Sequence, residues 1–407
     1  MSEKSSFSPR KILPITIVAS GTFAWWFFIT LYFEDIYNGL GSDQVWVFIL
    51  AALFYGSGAL STIPGSMIGE KISRKKFLIF CYTFGVLATI LLLFVGQNLV
   101  LGLFSSTLLG ISLGLVFPSC MTVIAHCTKS KERGRYMGTM VLETFVMIFL
   151  GVVVLTVFDF GLIGIIAVAV VLRSTSYLGF SVRFNENSKE KGGSWLSIIS
   201  SRELIFYLLP WFAFNLAGEL VHFIWVGLSG DPLITEAFNI GDNVRNALIA
   251  FLGPVAGIAA DRVGRKYPII FALVILGVGF AFLGLATSYY SAIFYLIMSG
   301  IAWTLLMVSY FALFGDIAKG RSTEKFYALG ISTPLLAYAL VRGILPILGI
   351  ESAEATVLSP IMSILLFLSI LPVLSVSDTI SETDIRERRL KEHAKKIGEI
   401  VKESENK

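Results

Sequence analysis

Charge is what this sequence has least of. Lys, Arg, Asp and Glu make up 15% of its 407 residues, while 55% are hydrophobic. A soluble domain carries roughly 25% charged residues, and a water-soluble fold could not cover this much apolar surface with so few. Cysteine is also scarce. Cys81, Cys120 and Cys127 show no metal-ligand or redox spacing and read as small packing residues. His222 has no second ligand at metal spacing, and no Ser-His or Cys-His arrangement is visible, so neither a metal, a cofactor nor an enzyme is expected. No Gly-rich nucleotide loop is present, which argues against direct drive by ATP. The net charge of +4 is scattered between apolar runs, so no nucleic-acid partner is expected. The short alternating strands of a membrane barrel are missing as well.

What is present is a series of apolar runs, each about long enough to cross roughly 30 Å of hydrocarbon. They fall at 12–33, 44–69, 77–96, 99–125, 137–158, 161–182, 204–228, 244–260, 268–287, 290–314, 327–349 and 356–376. Backbone groups in lipid must be satisfied within the segment, so these runs are read as helices. The first run follows Arg10 and Lys11 and continues past the length of a signal core. Glu34-Asp35-Ile36-Tyr37 follows it instead of a small-residue cleavage site, so it is read as a span. The fold class expected is an all-α integral membrane protein of twelve transmembrane helices in two six-helix bundles.

Charge placement tests that count. With twelve spans the loops alternate sides. Lys and Arg near residues 4–11, 71–76, 129–135, 183–202, 262–266, 319–325 and in the tail all fall on one side. The opposite loops carry acids such as Glu34, Asp35, Asp43, Asp159, Asp231, Glu236, Asp242, Glu351 and Glu354, and no Lys or Arg. Positive residues stay cytoplasmic, which puts both termini inside a cell membrane.

The sequence also repeats. Ser66-Met67-Ile68-Gly69-Glu70-Lys71-Ile72-Ser73-Arg74-Lys75 is matched by Gly257-Ile258-Ala259-Ala260-Asp261-Arg262-Val263-Gly264-Arg265-Lys266, 191 residues later. Glu132 and Gly138 are matched by Glu324 and Gly330, 192 residues later. The organisation expected is a tail at 1–11, bundles at 12–182 and 204–376, a cytoplasmic linker at 183–203 and a charged tail at 377–407. In that tail Ser381-Glu382-Thr383-Asp384 has the form of a helix cap. Parallel six-helix halves around a midplane site are a known transporter plan.

On these features the chain resembles the major facilitator superfamily over roughly residues 12–376. Gly257 to Lys266 matches its loop signature Gly-x-x-x-Asp-Arg-x-Gly-Arg-Lys. The copy from Ser66 to Lys75 is degenerate, with Glu70 for Asp and Lys71 for Arg, but it keeps Arg74. Glu132-Arg133-Gly134-Arg135 is similar to the Arg-Gly loop after the fourth helix. The resemblance implies a gating loop of Asp261, Arg262, Gly264, Arg265 and Lys266, with Glu70 and Arg74 in the other half. A carboxylate such as Asp261 at a helix end can accept from the free amides of a neighbouring helix start. The sequence departs from proton-coupled members in three places. Ser106 stands where their fourth helix has Arg, before Gly110 and Gly114. Ala24 and Trp26 stand near the acids of the first helix, and the fifth helix has no Gly-Pro pair.

A charge at mid-membrane costs a few kcal/mol and marks a site or a partner. Glu143 and Arg173, on consecutive antiparallel spans, are expected to form a structural ion pair, with Glu143 also a cavity candidate. Asn215, Glu219 and His222 form a polar stripe on the seventh span, the best candidate for substrate binding or coupling. Arg342, at a depth similar to Glu219, is expected to pair with it or with a substrate anion. Arg245 is expected to snorkel. Trp25, Trp26, Tyr55, Trp303 and Tyr310 are candidate path-lining aromatics.

The function expected is secondary transport of a small molecule by alternating access, by a monomer in the lipid bilayer, with a proton or sodium ion as a candidate coupling ion. Three intramembrane arginines against two acids favour an anionic metabolite. Multidrug efflux, for which an apolar aromatic cavity without a neutralising Arg would speak, and sugar transport stay open, as does a non-transporting receptor or scaffold. The topology has a direct test. With Cys81, Cys120 and Cys127 replaced by Ala, cysteines introduced at Ser288 and Ser352 should react with an impermeant maleimide on intact cells. Cysteines at Ser130 and Ser377 should react only after permeabilisation, and a reversal of either class removes the twelve-span reading.

Overall fold

The computed structural model describes residues 9–37, 40, 44–158, 160–181, 193–285, 287–318, 321–350 and 352–380. Among them are twelve helices long and apolar enough to cross a membrane, and no strand. The helices are α1 (Pro9–Leu31), α2 (Gln44–Lys71), α3 (Arg74–Leu91), α4 (Leu99–Cys127), α5 (Arg133–Val157) and α6 (Gly161–Thr175). Then follow α7 (Arg202–Leu228), α8 (Pro232–Val263), α9 (Lys266–Leu285), α10 (Tyr289–Ala318), α11 (Thr323–Ile347) and α12 (Ala355–Leu368). Asp159, residues 183–192 of the expected linker and the tail from Ser381, with its expected cap, lie outside the described residues.

Prolines stand inside several of these helices, among them Pro64, Pro118, Pro210, Pro254 and Pro334. Packed membrane helices tolerate them because neighbours re-satisfy the freed carbonyls. The turn between α5 and α6 closes through Gly161 at φ 53, a left-handed conformation in which glycine carries no Cβ penalty. One boundary differs widely from the sequence reading. The eighth span, expected from residue 244, begins at Pro232, so Glu236 and Asp242 are helical and not loop acids. The cause is local: Asp231 accepts from the amides of Leu233 (2.9 Å) and Ile234 (3.4 Å), and Pro232 sits in the first turn, where its missing N–H costs nothing.

Helix contacts repeat at an offset of six. In the first half α2 packs on α4, α1 on α5 and α3 on α6; in the second, α8 packs on α10, α7 on α11 and α9 on α12. Across the halves, α5 packs on α8 and α2 on α11, the same contact made twice. These are the two pseudo-symmetric six-helix bundles that the internal repeat implies. The peripheral helices leave large apolar side chains uncovered, among them Phe80 and Leu87 on α3, Phe271 and Phe282 on α9, and Ile361 and Ile364 on α12. In water such a surface would drive aggregation; in a bilayer it faces acyl chains.

The α5–α8 contact is close enough that only glycine fits. A Cβ on Gly138 would lie 2.8 Å from the carbonyl carbon of Gly253, and one on Gly257 would lie 2.8 Å from that of Gly134. Small residues let membrane helices approach to backbone contact, where packing supplies the association energy. Gly138→Val should therefore lower the thermal midpoint of the purified protein, at a cost of about 1–3 kcal/mol for overpacking. Gly218→Ala, where an added Cβ meets nothing within 4 Å, should leave it unchanged. Equal melting of the two variants would contradict this contact.

Candidate functional site

Where the halves meet, side chains from both line a partly open space of about 310 Å³. Phe23 and Trp26 of α1 and Phe117 of α4 line it from one half. Trp211 and Asn215 of α7, Trp303, Met307 and Phe311 of α10, and Ile331, Pro334 and Tyr338 of α11 line it from the other. Rings bridge the two sides: Phe23 meets Phe311 edge-on at 5.5 Å, and Phe27 meets Trp303 at 5.4 Å. Among the described residues, no Lys, Arg, Asp or Glu lines the space.

Its few polar groups are held in place. Trp211 Nε1 donates to the Gly330 carbonyl at 2.8 Å, fixing α7 to α11. Asn215 donates to the Trp211 carbonyl at 2.7 Å and accepts from the Tyr338 hydroxyl at 2.8 Å. Trp26 Nε1 is buried without a partner, and a buried unpaired donor calls for an explanation.

Of the expected aromatics, Trp26 and Trp303 line the space. Tyr310 lies behind it, stacked on Trp211 at 4.5 Å and fully buried. Tyr55 packs against Tyr338 at 5.1 Å. Trp25 turns away: its indole donates to Thr89 Oγ1 at 2.9 Å. Tyr338, which completes the Asn215 network, gave no signal in the sequence because a tyrosine in an apolar helix resembles any packing aromatic.

Glu219 and Arg342 meet. Arg342 Nε donates to Glu219 Oε1 between α11 and α7. The guanidinium also lies 5.3 Å over the ring of Phe48 on α2, and Phe48 stacks on Phe223 at 5.8 Å. The pair lies within the second half, and the Arg342–Phe48 and Phe48–Phe223 contacts join that half to the first on the side where the loops are acidic. His222 belongs to the ring contact and not to the carboxylate: it sits edge-on to Phe48 at 6.2 Å and makes no hydrogen bond to Glu219.

The ion pair expected between Glu143 and Arg173 is not formed, because α1 stands between them and offers each a different face. Thr16 Oγ1 and Ser20 Oγ each donate to Glu143 at 2.6 Å. Arg173 is fully buried, 4.5 Å over the Trp25 ring and 5.6 Å over that of Tyr82. It donates to Ser112 Oγ at 3.0 Å. Gly85 makes the room, since a Cβ there would lie 2.5 Å from the guanidinium Nε. Arg245 pairs with Asp242 one turn away at 2.8 Å.

On the basic side the halves are bolted together. Asp261, at the end of α8, accepts from the first-turn amides of α5, Gly134 at 2.8 Å and Arg135 at 3.1 Å. It also pairs with Arg265 at 2.9 Å. Arg265, itself fully buried, reaches Asp316 of α10 at 3.0 Å, and Asp316 takes Arg133 of α5 at 2.5 Å. The pseudo-symmetric contact repeats the plan: Glu70, at the end of α2, accepts from Ser322 at the start of α11 and lies 3.3 Å from Lys325. Arg74 approaches Glu324 at 3.7 Å, and Ser119 donates to Glu324.

Two members of the expected gating loop do something else. Arg262 is exposed and outside the bolt. Lys266 Nζ donates to the carbonyls of Leu374 and Val376, within its own half. Gly264, at φ 94, carries the turn, and Asp378 accepts from the Arg265 and Lys266 amides beside it. Asp316 and Asp378 were invisible as partners in the sequence. Each is a lone acid at a span end, where a solvated boundary residue looks the same.

The comparisons with known proteins agree with this architecture. The Major Facilitator Superfamily model matches residues 15–241. No curated protein sequence matches the chain. Among solved structures it is similar to the human organic anion transporter MFSD10 (TETRAN), with a TM-score of 0.69 and 12% identity, covering 90% of this chain and 100% of that one. It is also similar to the proton:xylose symporter XylE bound to 6-bromo-6-deoxy-D-glucose, with a TM-score of 0.71 and 12% identity, over 94% and 99%. At that identity the likeness carries the fold and not the solute. With the family match spanning more than half the sequence, and the twelve helices paired in two halves around a central space, the chain belongs to the Major Facilitator Superfamily and is a multi-pass membrane protein with that transporter fold.

Proposed function

We propose that the protein is a secondary transporter that moves a small, largely apolar, aromatic-compatible solute by alternating access. One observation carries this reading: among the described residues the space between the halves is walled by aromatic and aliphatic side chains and Asn215, with no Lys, Arg, Asp or Glu, and the halves are joined on one side of it by a breakable ionic contact. Two rigid bundles rocking about such a site expose it to each side in turn. With the basic side cytoplasmic, the described conformation is closed toward the cytoplasm of a cell membrane.

Magnitudes favour an apolar solute over an anionic one. An aromatic solute that buries about 200 Å² gains on the order of 5 kcal/mol by area. A carboxylate placed there without a partner loses several kcal/mol. The three intramembrane arginines that made an anion attractive are each engaged: Arg173 between rings, Arg245 with Asp242, Arg342 with Glu219. A sugar needs more hydrogen bonds than Asn215, Tyr338 and Trp26 offer. The unpartnered Trp26 N–H suits a solute with one acceptor. On the acidic side the Glu219–Arg342 pair braces α7 against α11 within the second half, and its guanidinium meets the Phe48 ring of the first half.

Thermal shift of the purified protein should rank dansylamide, a neutral naphthalene with acceptor oxygens, above benzoate and xylose. The dansylamide shift should shrink in Trp26→Ala and Asn215→Ala. A larger shift with benzoate or xylose would reject the solute class. Proteoliposomes should exchange dansylamide faster than protein-free liposomes; equal rates would reject carriage and favour a receptor or scaffold. Separately, Glu219→Gln and Arg342→Met should each destabilise by about 3 kcal/mol, the penalty of a buried charge left alone, and the double variant should recover much of it. Additive losses in denaturation midpoints would show that the two residues do not act as a pair.

A further inference from the structure

Among the described residues, Glu143 is a carboxylate in the membrane core whose hydrogen bonds contain no cation. It sits on α5, about 14 Å along the helix from Gly134 at 1.5 Å per residue, and is half-buried against α1. An ionised carboxylate at that depth without a counter-charge costs a few kcal/mol. Among the described residues its hydrogen-bond partners are Thr16 Oγ1 and Ser20 Oγ, one to each carboxylate oxygen.

The charged groups on the helices packed around α5 are committed elsewhere. Arg173 of α6 lies between the rings of Trp25 and Tyr82. Arg245 of α8 holds Asp242, and Asp261 of α8 holds Arg265 and the start of α5. Asp316 of α10 holds Arg133, and His126 of α4 lies 3.0 Å from Arg74. On α1 the residues facing Glu143 are the two hydroxyls.

Those hydroxyls have a second place to put their protons. Thr16 Oγ1 is 3.1 Å from the Ile12 carbonyl, and Ser20 Oγ is 2.9 Å from the Thr16 carbonyl. When Glu143 is ionised, both O–H groups turn to it. When Glu143 takes a proton from water, its new O–H donates to one hydroxyl oxygen, that hydroxyl's proton turns back to its helix carbonyl, and the other hydroxyl keeps donating to the remaining carboxyl oxygen. Each hydroxyl has one donor and two acceptor positions, so every group is satisfied in both states. The exchange adds one proton and breaks no covalent bond other than the one that released it.

We infer that Glu143 is a proton-binding site of the transport cycle, ionised while it holds α1 to α5 in the described conformation and protonated when that contact rearranges. The inference rests on the alternating-access reading. It places coupling on the helix whose first-turn amides receive Asp261, so a change in the α1–α5 contact acts on the same rod that forms the ionic closure. Glu219, by contrast, is paired with Arg342.

The test uses the full-length protein. In pH-difference infrared spectra, wild type and Glu219→Gln should show a protonated carboxyl band that grows as pH falls, and Glu143→Gln should lack it. In proteoliposomes a pH gradient should drive accumulation of dansylamide by wild type and by Glu143→Asp, whereas Glu143→Gln should show gradient-independent exchange alone. A band unchanged in Glu143→Gln, or gradient-driven accumulation retained by it, overturns the inference and leaves carriage intact. If wild type exchanges no dansylamide, carriage fails with that probe and the infrared band alone decides the proton site. If Glu143→Gln does not fold, the double variant Thr16→Val and Ser20→Ala takes its place. Losing two donors to the ionised form should move the midpoint of the band to higher pH, and an unmoved midpoint overturns the assignment.

Discussion

Lipid offers no hydrogen bonds and no screening, and each feature of this protein answers that constraint. Backbone groups close within helices because nothing outside can receive them. Charges that remain in the core are enclosed by partners of three kinds. Arg173 is enclosed by aromatic faces and a serine, Arg342 by a carboxylate, and Glu143 by two hydroxyls. The same constraint makes the ionic contacts on the basic side effective as a closure. Arg265 and Asp261 are fully buried, so their attraction is not dissipated by water, and separating them requires that water or another partner replace it.

The two closures differ in kind, and the difference suits a cycle. The basic side combines backbone contact between glycines with carboxylates seated on helix starts, a geometry that tolerates little intermediate displacement. The acidic side relies on the Arg342 guanidinium over the Phe48 ring and on the Phe48–Phe223 stack, which can slide. Interfaces of the first sort are bistable and not continuously deformable, as alternating access requires. The internal repeat gives the reason for two similar contacts: α5 on α8 and α2 on α11 are one interaction copied by duplication of a six-helix unit. The first copy kept Asp261 on helix amides, while the second put Glu70 against Ser322 and Lys325.

The central space takes its character from what the sequence withholds. Where relatives of the proton-coupled kind place acids on the first helix and an arginine on the fourth, this chain has Ala24, Trp26 and Ser106. The aromatic wall is the consequence. Charge was moved outward from the solute path, to Glu219 with Arg342 at one end and to Glu143 at the α1–α5 seam. In the proposed cycle the solute is sorted by shape and apolar area, while charge movement takes place beside it.

The sequence by itself determined the twelve crossings, the side on which the basic residues gather, the two-fold repeat and the seat of Asp261. Each of these follows from local pattern: run length, loop charge, or a motif at a helix end. It also placed Glu219 and Arg342 at one depth, since depth is a matter of counting along helices. Only the tertiary structure decided which side chains face one another. Depth says nothing of rotation, so Glu143 and Arg173, adjacent by count, turned out to sit on opposite sides of α1. Asp316, unremarkable at a helix end, became the bridge between Arg133 and Arg265. The start of α8 at Asp231 was decided by capping against a short loop that hydropathy alone had stretched. Partner choice depends on helix rotation and on gaps such as the one Gly85 leaves for Arg173, and neither is written in the order of residues along one chain.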